Sequence, residues 1–325
     1  MYGNLALSML EDLDFGTVES RTVFLVHCFI YPYTRNWHDC LKPLLHGYQT
    51  GLVHGDTESA LWNMMTYIEL SFNTGKPLEA LENDVRIYRK QMKDLKLDIH
   101  ASVVGCMQQY IENLRGVSGS TYKFPDAQKA LEQHRKDGSV VEGGVRQAQL
   151  HLATFFGEDE YGAEIVVDIA ENGMKISEAS HGFFLITFES ALLCYGAWRK
   201  QNRNRYTKHA RSYHSQVKSW VKAGHVSMVF ALHLLDAEVA MNSGKHDIAF
   251  QQYEAAAMSA KELNYRSYHG LALERWGNAK AELGDHKEAR KQWKNALVLY
   301  EEWGATAVVR QLRKKIKHSS KPSPK

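Results

Sequence analysis

One turn-and-helix phrase is written twice near the C-terminal end of this chain, 40 residues apart. Asn242-Ser243-Gly244-Lys245-His246 leads on to Ala249, Tyr253 and Ala256, and Glu282-Leu283-Gly284-Asp285-His286 leads on to Ala289, Trp293 and Ala296. A fixed period of this length is the mark of stacked helical hairpins, each too small to bury its apolar face alone. Gly supplies the positive φ of a tight turn between antiparallel helices. The small residues Ala249, Ala256, Ala289 and Ala296 let backbones approach, and the aromatic between each pair, Tyr253 or Trp293, fills the groove of the adjoining helix. Leu273, Trp276 and Gly277 give the preceding helix a matching large-small pattern. The expected fold is therefore all-α, a right-handed α-solenoid of antiparallel hairpins over residues 1–316, followed by a disordered basic tail over 317–325.

Other turns place the remaining hairpins. Gly51 to Asp56 separates a helix beginning near Trp37 from one over Thr57 to Asn73. Asn73-Thr74-Gly75-Lys76-Pro77 is a third, weaker copy of the phrase, with Ala80 five residues after Gly75. Pro fits the first turn of the helix that follows, which is expected to run to about Leu95. Further helices are expected over Ile99–Leu114, Pro125–Lys136, Glu142–Phe156, Asp159–Asn172, Phe183–Lys200, Tyr206–Lys222, His225–Asn242, Asp247–Leu263, Tyr265–Leu283 and His286–Trp303, with a last one ending near Ile316. Only Arg115 to Phe124 reads as a long loop, and it carries possible phosphorylation sites at Ser118 and Ser120. A content of 44 % hydrophobic residues and only 6 Pro in 325 agrees with a helical chain that has an ample core.

The repeat residues Leu273, Gly277, Gly284, Ala289, Trp293 and Ala296 resemble the tetratricopeptide repeat, whose period is about 34 residues. The chain departs from it in its longer period, in Lys280 where an aromatic is usual, and in Glu301 where Pro is usual. Those departures resemble the longer, degenerate repeats in the helical region of large multidomain signalling ATPases, which join a kinase-like domain, a STAND-type NTPase and often a sensor histidine kinase. Leu271-Ala272-Leu273-Glu274-Arg275-Trp276-Gly277 through Ala296 to Leu312 carries the likeness, as do Trp37, Pro43, Tyr48, Gly51, Gly55-Asp56, Ala60 and Gly75 to Leu78. It extends from about Val18 to Leu312. The likeness rests on packing residues, and the catalytic domains of that family have no counterpart here, so no catalytic residue carries over. It implies an interaction or interdomain module in signal transduction.

No chemistry-bearing motif survives inspection. Asp14-Phe15-Gly16 spells the magnesium-binding triplet of kinases, yet no His-Arg-Asp loop precedes it. Gly75-Lys76 lacks the first Gly of a phosphate loop and has Pro77 in place of Ser or Thr. His209 and His214 lie about 140° apart around a helix and cannot share a metal from one face. His38-Asp39-Cys40 is too compressed for a triad, whose members must face one another across a cleft. The expectation is a protein that is not an enzyme and uses no cofactor or metal.

Charge is the feature that points outward. The net charge is only +3, but Ser190 to Leu235 contains no Asp or Glu and eight basic residues: Arg199, Lys200, Arg203, Arg205, Lys208, Arg211, Lys218 and Lys222. At about 100° per residue, Lys208, Arg211, Lys218 and Lys222 fall within about 80° of arc. Tyr206, Ala210, Tyr213, Val217 and Trp220 take the packing side. Ordinary solvated faces mix both signs. Arg199, Arg203, Arg205, Lys208, Arg211, Lys218 and Lys222 are thus the candidate partner-binding stripe, for a protein or a neighbouring domain of a parent polypeptide held along the concave face. The alternative is nucleic acid, which would also require exposed aromatics beside the stripe. The C-terminal run after Glu302 is likewise basic and free of acids.

Four cysteines in 325 residues do not make a disulfide scaffold, and no run reaches the roughly 20 apolar residues of a membrane span. No signal-peptide pattern is visible at the start. A cytoplasmic protein with no membrane partner is expected.

Overall fold

A computed structural model describes residues 2–12, 16–117, 140–172, 181–201 and 204–319. Among them are fifteen α-helices and no strand. They are α1 (Tyr2–Asp12), α2 (Gly16–Phe29), α3 (His38–His54), α4 (Thr57–Asn73), α5 (Leu78–Asp94), α6 (Asp98–Arg115), α7 (Val140–Phe156), α8 (Asp159–Asn172), α9 (His181–Gln201), α10 (Asn204–Lys222), α11 (Val229–Asn242), α12 (His246–Glu262), α13 (Arg266–Glu282), α14 (His286–Trp303) and α15 (Thr306–His318). Each packs mainly on its neighbours in the chain, as in an α-solenoid of stacked hairpins. The expected segment Pro125–Lys136, and Ser118 and Ser120, lie outside the described residues, as does the Asp14-Phe15 pair. Two helices precede Trp37, the first at the start of the chain where the sequence suggests one, and α15 continues two residues beyond Ile316.

The repeat holds in atomic detail. Gly244 and Gly284 turn at φ of 69° and 82°, and Gly75, in the weaker copy, at 79°. Ala249, Tyr253, Ala256, Ala289 and Ala296 are buried, as are Trp293, Leu273 and Gly277, while Trp276 is half-buried. Gly277 is small because it must be: a Cβ there would stand 2.5 Å from Trp293 Cδ1 and 3.0 Å from the Ala289 carbonyl oxygen. A hydrogen bond repeats as well. Tyr253 donates its hydroxyl to Glu238 at 3.1 Å, and 40 residues on Trp293 donates its indole N–H to Asn278 at 3.0 Å.

The array does not stay open. Rings from elements far apart in the chain meet in one buried series. Phe72 of α4 touches Phe155 of α7 and Trp303 of α14; Phe155 touches Tyr268 of α13; and Tyr268 meets Phe188 of α9 and stacks on Phe230 of α11. Phe230 meets Tyr265, which stacks on Trp37 at 5.3 Å between centroids. Phe72, Phe155, Trp303, Tyr268 and Trp37 are among the largest fully buried side chains. The last helix, α15, seats on α6 and α7, where Gln311 donates to the Phe156 carbonyl at 3.0 Å. The interior between the front and back hairpins is therefore packed with the protein's own aromatics.

Polar bonds finish the seam between front and back. The Trp37 backbone N–H donates to the Tyr265 hydroxyl at 3.1 Å, which lies 2.8 Å from Ser227 Oγ and 3.0 Å from Asn36 Oδ1. His225 is buried beside them, edge-on to Phe184 and Trp37.

Two outcomes follow from this packing. Gly277→Val should lower stability by about 1–3 kcal/mol through overpacking, read as a lower urea midpoint at unchanged slope. For His225, burial pushes the imidazole down from 6.5 to about 4. The unfolded chain therefore binds this proton first on acidification, so stability should fall as pH drops from about 6.5 towards about 4. His225→Phe should flatten that part of the pH–stability curve in urea titrations; an unchanged slope would contradict the assignment.

Candidate functional site

Helix α10 carries the basic row on one side and its packing face on the other. Tyr206, Ala210 and Val217 are fully buried, and Tyr213 and Trp220 pack half-buried against the core. Lys208, Arg211, Lys218 and Lys222 are exposed, and among the described residues none of them forms an ion pair. At about 1.5 Å of rise per residue the row from Lys208 to Lys222 is about 21 Å long. Exposed Ser212, Ser215 and Ser219 lie between its charges.

The remaining stripe residues part company with this row. Arg205 is exposed but engaged by Glu164 of α8, which also accepts from the Tyr206 hydroxyl. Arg203 lies outside the described residues. Arg199 is the clear correction: it is not on a basic surface but inside an ion network, 2.8 Å from Glu238 and 3.3 Å from Glu282. Arg275 joins the network at 2.5 Å from Asp159 and 4.0 Å from Glu238, and Lys200 reaches Asp159 at 3.3 Å. Burial works against the charge of both guanidiniums, but the surrounding carboxylates outweigh it and hold both firmly protonated. This network ties α8, α9, α11 and α13 together. Its acids come from other helices, so the acid-free stretch in the sequence says nothing about the partners of its inward-facing members.

The two cations divide by what surrounds them. Pairing inside the core fixes register, because an unpartnered buried charge is heavily penalised. Exposed lysines with no partner add little to stability and remain available to set orientation and on-rate for an acidic partner. Among the described residues the aromatics of α10 do not flank the row as exposed rings, since Tyr213 and Trp220 pack half-buried against the core.

The other motif residues are accounted for by packing. Cys40 is fully buried and its thiol is pushed up to about 12 by burial and the Asp39 carboxylate, the opposite of an activated nucleophile. His214 sits between the Tyr195 hydroxyl and Asp236, at 3.1 and 3.2 Å. All four cysteines are buried and none is in a disulfide. Among the described residues there is no cluster of three His, Cys, Asp or Glu side chains able to hold a metal, and no helix long and apolar enough to cross a membrane. Compared with known proteins, the chain matches no family model and no curated sequence.

Removing Arg275 should leave Asp159 with only the exposed Lys200 and Glu238 with only Arg199, short of one buried positive charge. Arg275→Ala is expected to destabilise the fold by about 3–5 kcal/mol, measured by guanidinium unfolding. A change below about 1 kcal/mol, the range of exposed pairs, would contradict the network's assigned role.

Proposed function

We propose that this chain is a non-enzymatic helical-repeat scaffold that docks an acidic segment of a protein partner, or of a neighbouring domain in a parent polypeptide, on the outer face of α10. The observation that carries the reading is the row Lys208, Arg211, Lys218 and Lys222: one sign, exposed, without an ion pair among the described residues, and mounted on a helix whose opposite face is locked into the core. Affinity comes from several charges meeting at once along about 21 Å. The likeness of Leu271 to Leu312 to the helical region of multidomain signalling ATPases supports a setting in cytoplasmic signal transduction. Nucleic acid is disfavoured by the inward-turned aromatics, although the row's charge alone would attract it.

Fluorescence anisotropy with a labelled Glu-rich peptide and, separately, a labelled single-stranded oligonucleotide tests the reading. The triple variant Lys208→Glu, Arg211→Glu, Lys218→Glu should bind the peptide at least about tenfold more weakly with an unchanged circular dichroism spectrum. Unchanged peptide binding would remove the row from the mechanism. Tighter binding of the oligonucleotide, with affinity falling steeply in salt, would favour nucleic acid instead.

A further inference from the structure

The seam that closes the array holds a cleft of about 370 Å³, in the range of small-molecule sites. Its apolar wall is Leu41, Leu45, Tyr67 and Pro77, and its cations are Lys42, Lys76 and Arg266. It lies between α3, the α4–α5 turn and the α12–α13 turn, residues nearly 230 positions apart in sequence.

Three helix N-termini converge there. His38 opens α3, Pro77 immediately precedes α5, and Arg266 opens α13, and all three residues line the cleft. The starts of α5 and α13 have no side-chain cap, whereas at α3 the Asn36 side chain accepts from the His38 backbone N–H at 3.0 Å. Uncapped N-termini leave backbone N–H groups unpaired and carry partial positive charge. Two of the cleft's cations are already paired, Lys76 with Asp84 and Arg266 with Glu302, while Glu79 is turned to Arg115, Asp39 is exposed, and the first turn of α13 has no acid.

The side chains extend the same field. Lys76 donates to Asp84 at 2.6 Å and to the Tyr67 hydroxyl at 2.9 Å. Burial works against its charge, but those two bonds keep its pKa above the ordinary value. Arg266 spans the seam, 3.3 Å from the Gly75 carbonyl oxygen and 3.4 Å from Glu302. Lys42 is exposed at the mouth and has no ion-pair partner among the described residues. Ser71 supplies an independent sign of a ligand: it lines the cleft, is fully buried, and its hydroxyl has no hydrogen-bond partner.

We infer that this seam cleft binds a small organic phosphate, its phosphoryl group at Lys42, Arg266 and the converging helix N-termini and its apolar body against Leu41, Leu45 and Pro77. A phosphate fits better than a carboxylate because its two charges and three free oxygens match several separate donors. The site is distinct from the α10 row and stands whether or not that row docks a peptide.

Isothermal titration at low ionic strength with phenyl phosphate tests the inference on the full chain. Wild-type protein should show saturable binding, Lys42→Glu about tenfold weaker binding and Lys42→Ala a severalfold loss, while Lys218→Glu on α10 should match wild type. Benzoate and inorganic phosphate should each bind more weakly than phenyl phosphate. Lys42 is exposed and unpaired, so both of its variants should fold, as circular dichroism would show. The inference is overturned if wild type shows no saturation, if the Lys42 variants bind as wild type does, or if Lys218→Glu weakens binding as much as Lys42→Glu. Inorganic phosphate binding as tightly as phenyl phosphate would overturn the assignment to an organic ligand.

Discussion

Ring-on-ring packing between elements far apart in the chain is the constraint on which the rest of the structure depends. Hairpin stacking alone would leave a curved array with an exposed inner surface. Here Trp303 of α14 lies against both Phe72 of α4 and Phe155 of α7, so the back of the array is pressed into its front. Each such side chain buries about 150–250 Å² and is worth several kcal/mol when fully enclosed. The series through Tyr268, Phe230, Tyr265 and Trp37 spreads that stabilisation over most of the elements. Polar bonds at the seam then satisfy the backbone of Trp37 and fix how the two ends meet.

Closure decides where function can reside. An inner face occupied by the protein's own aromatics cannot receive a peptide, so contacts with other molecules fall to the outer surface and to the seam. On the outer surface, the charges that matter are those without internal work. Arg199 and Arg275 belong to the core despite their sequence context, whereas Lys208, Arg211, Lys218 and Lys222 face solvent together.

Much of the local architecture was legible because turn chemistry is local. Gly284-Asp285 shows why: the Gly takes positive φ and Asp285 accepts the Glu288 N–H at 3.1 Å, and both steps are written in two adjacent residues. The packing face of α10 was legible for the same reason, since helical periodicity places Tyr206, Ala210 and Val217 together. The repeated bonds Tyr253–Glu238 and Trp293–Asn278 went unseen because the acceptor changes type at the equivalent position. Closure was invisible to periodicity, as Trp37 and Tyr265 meet across more than 220 residues. The second helix was missed because the apolar run Val23 to Tyr33 shows little amphipathic alternation before Pro32 interrupts it. Arg199 was misplaced because its acids arrive from α11 and α13, not from its own segment.

The last helix seats against the front half of the array and closes it. The Cβ of an alanine at Gly116 would lie 3.3 Å from the Ala307 Cβ, close to the spacing of a disulfide, once the flexible Arg310 guanidinium swings aside and the positive φ of 70° is accepted at some cost. Gly116→Cys together with Ala307→Cys offers a direct measurement, because the four native thiols are buried and leave the new pair as the reactive ones. Mild oxidation of the folded monomer should form an intramolecular disulfide, seen as a reducible mobility shift and as loss of maleimide labelling. Two thiols that stay reduced and label freely in the folded protein would contradict closure.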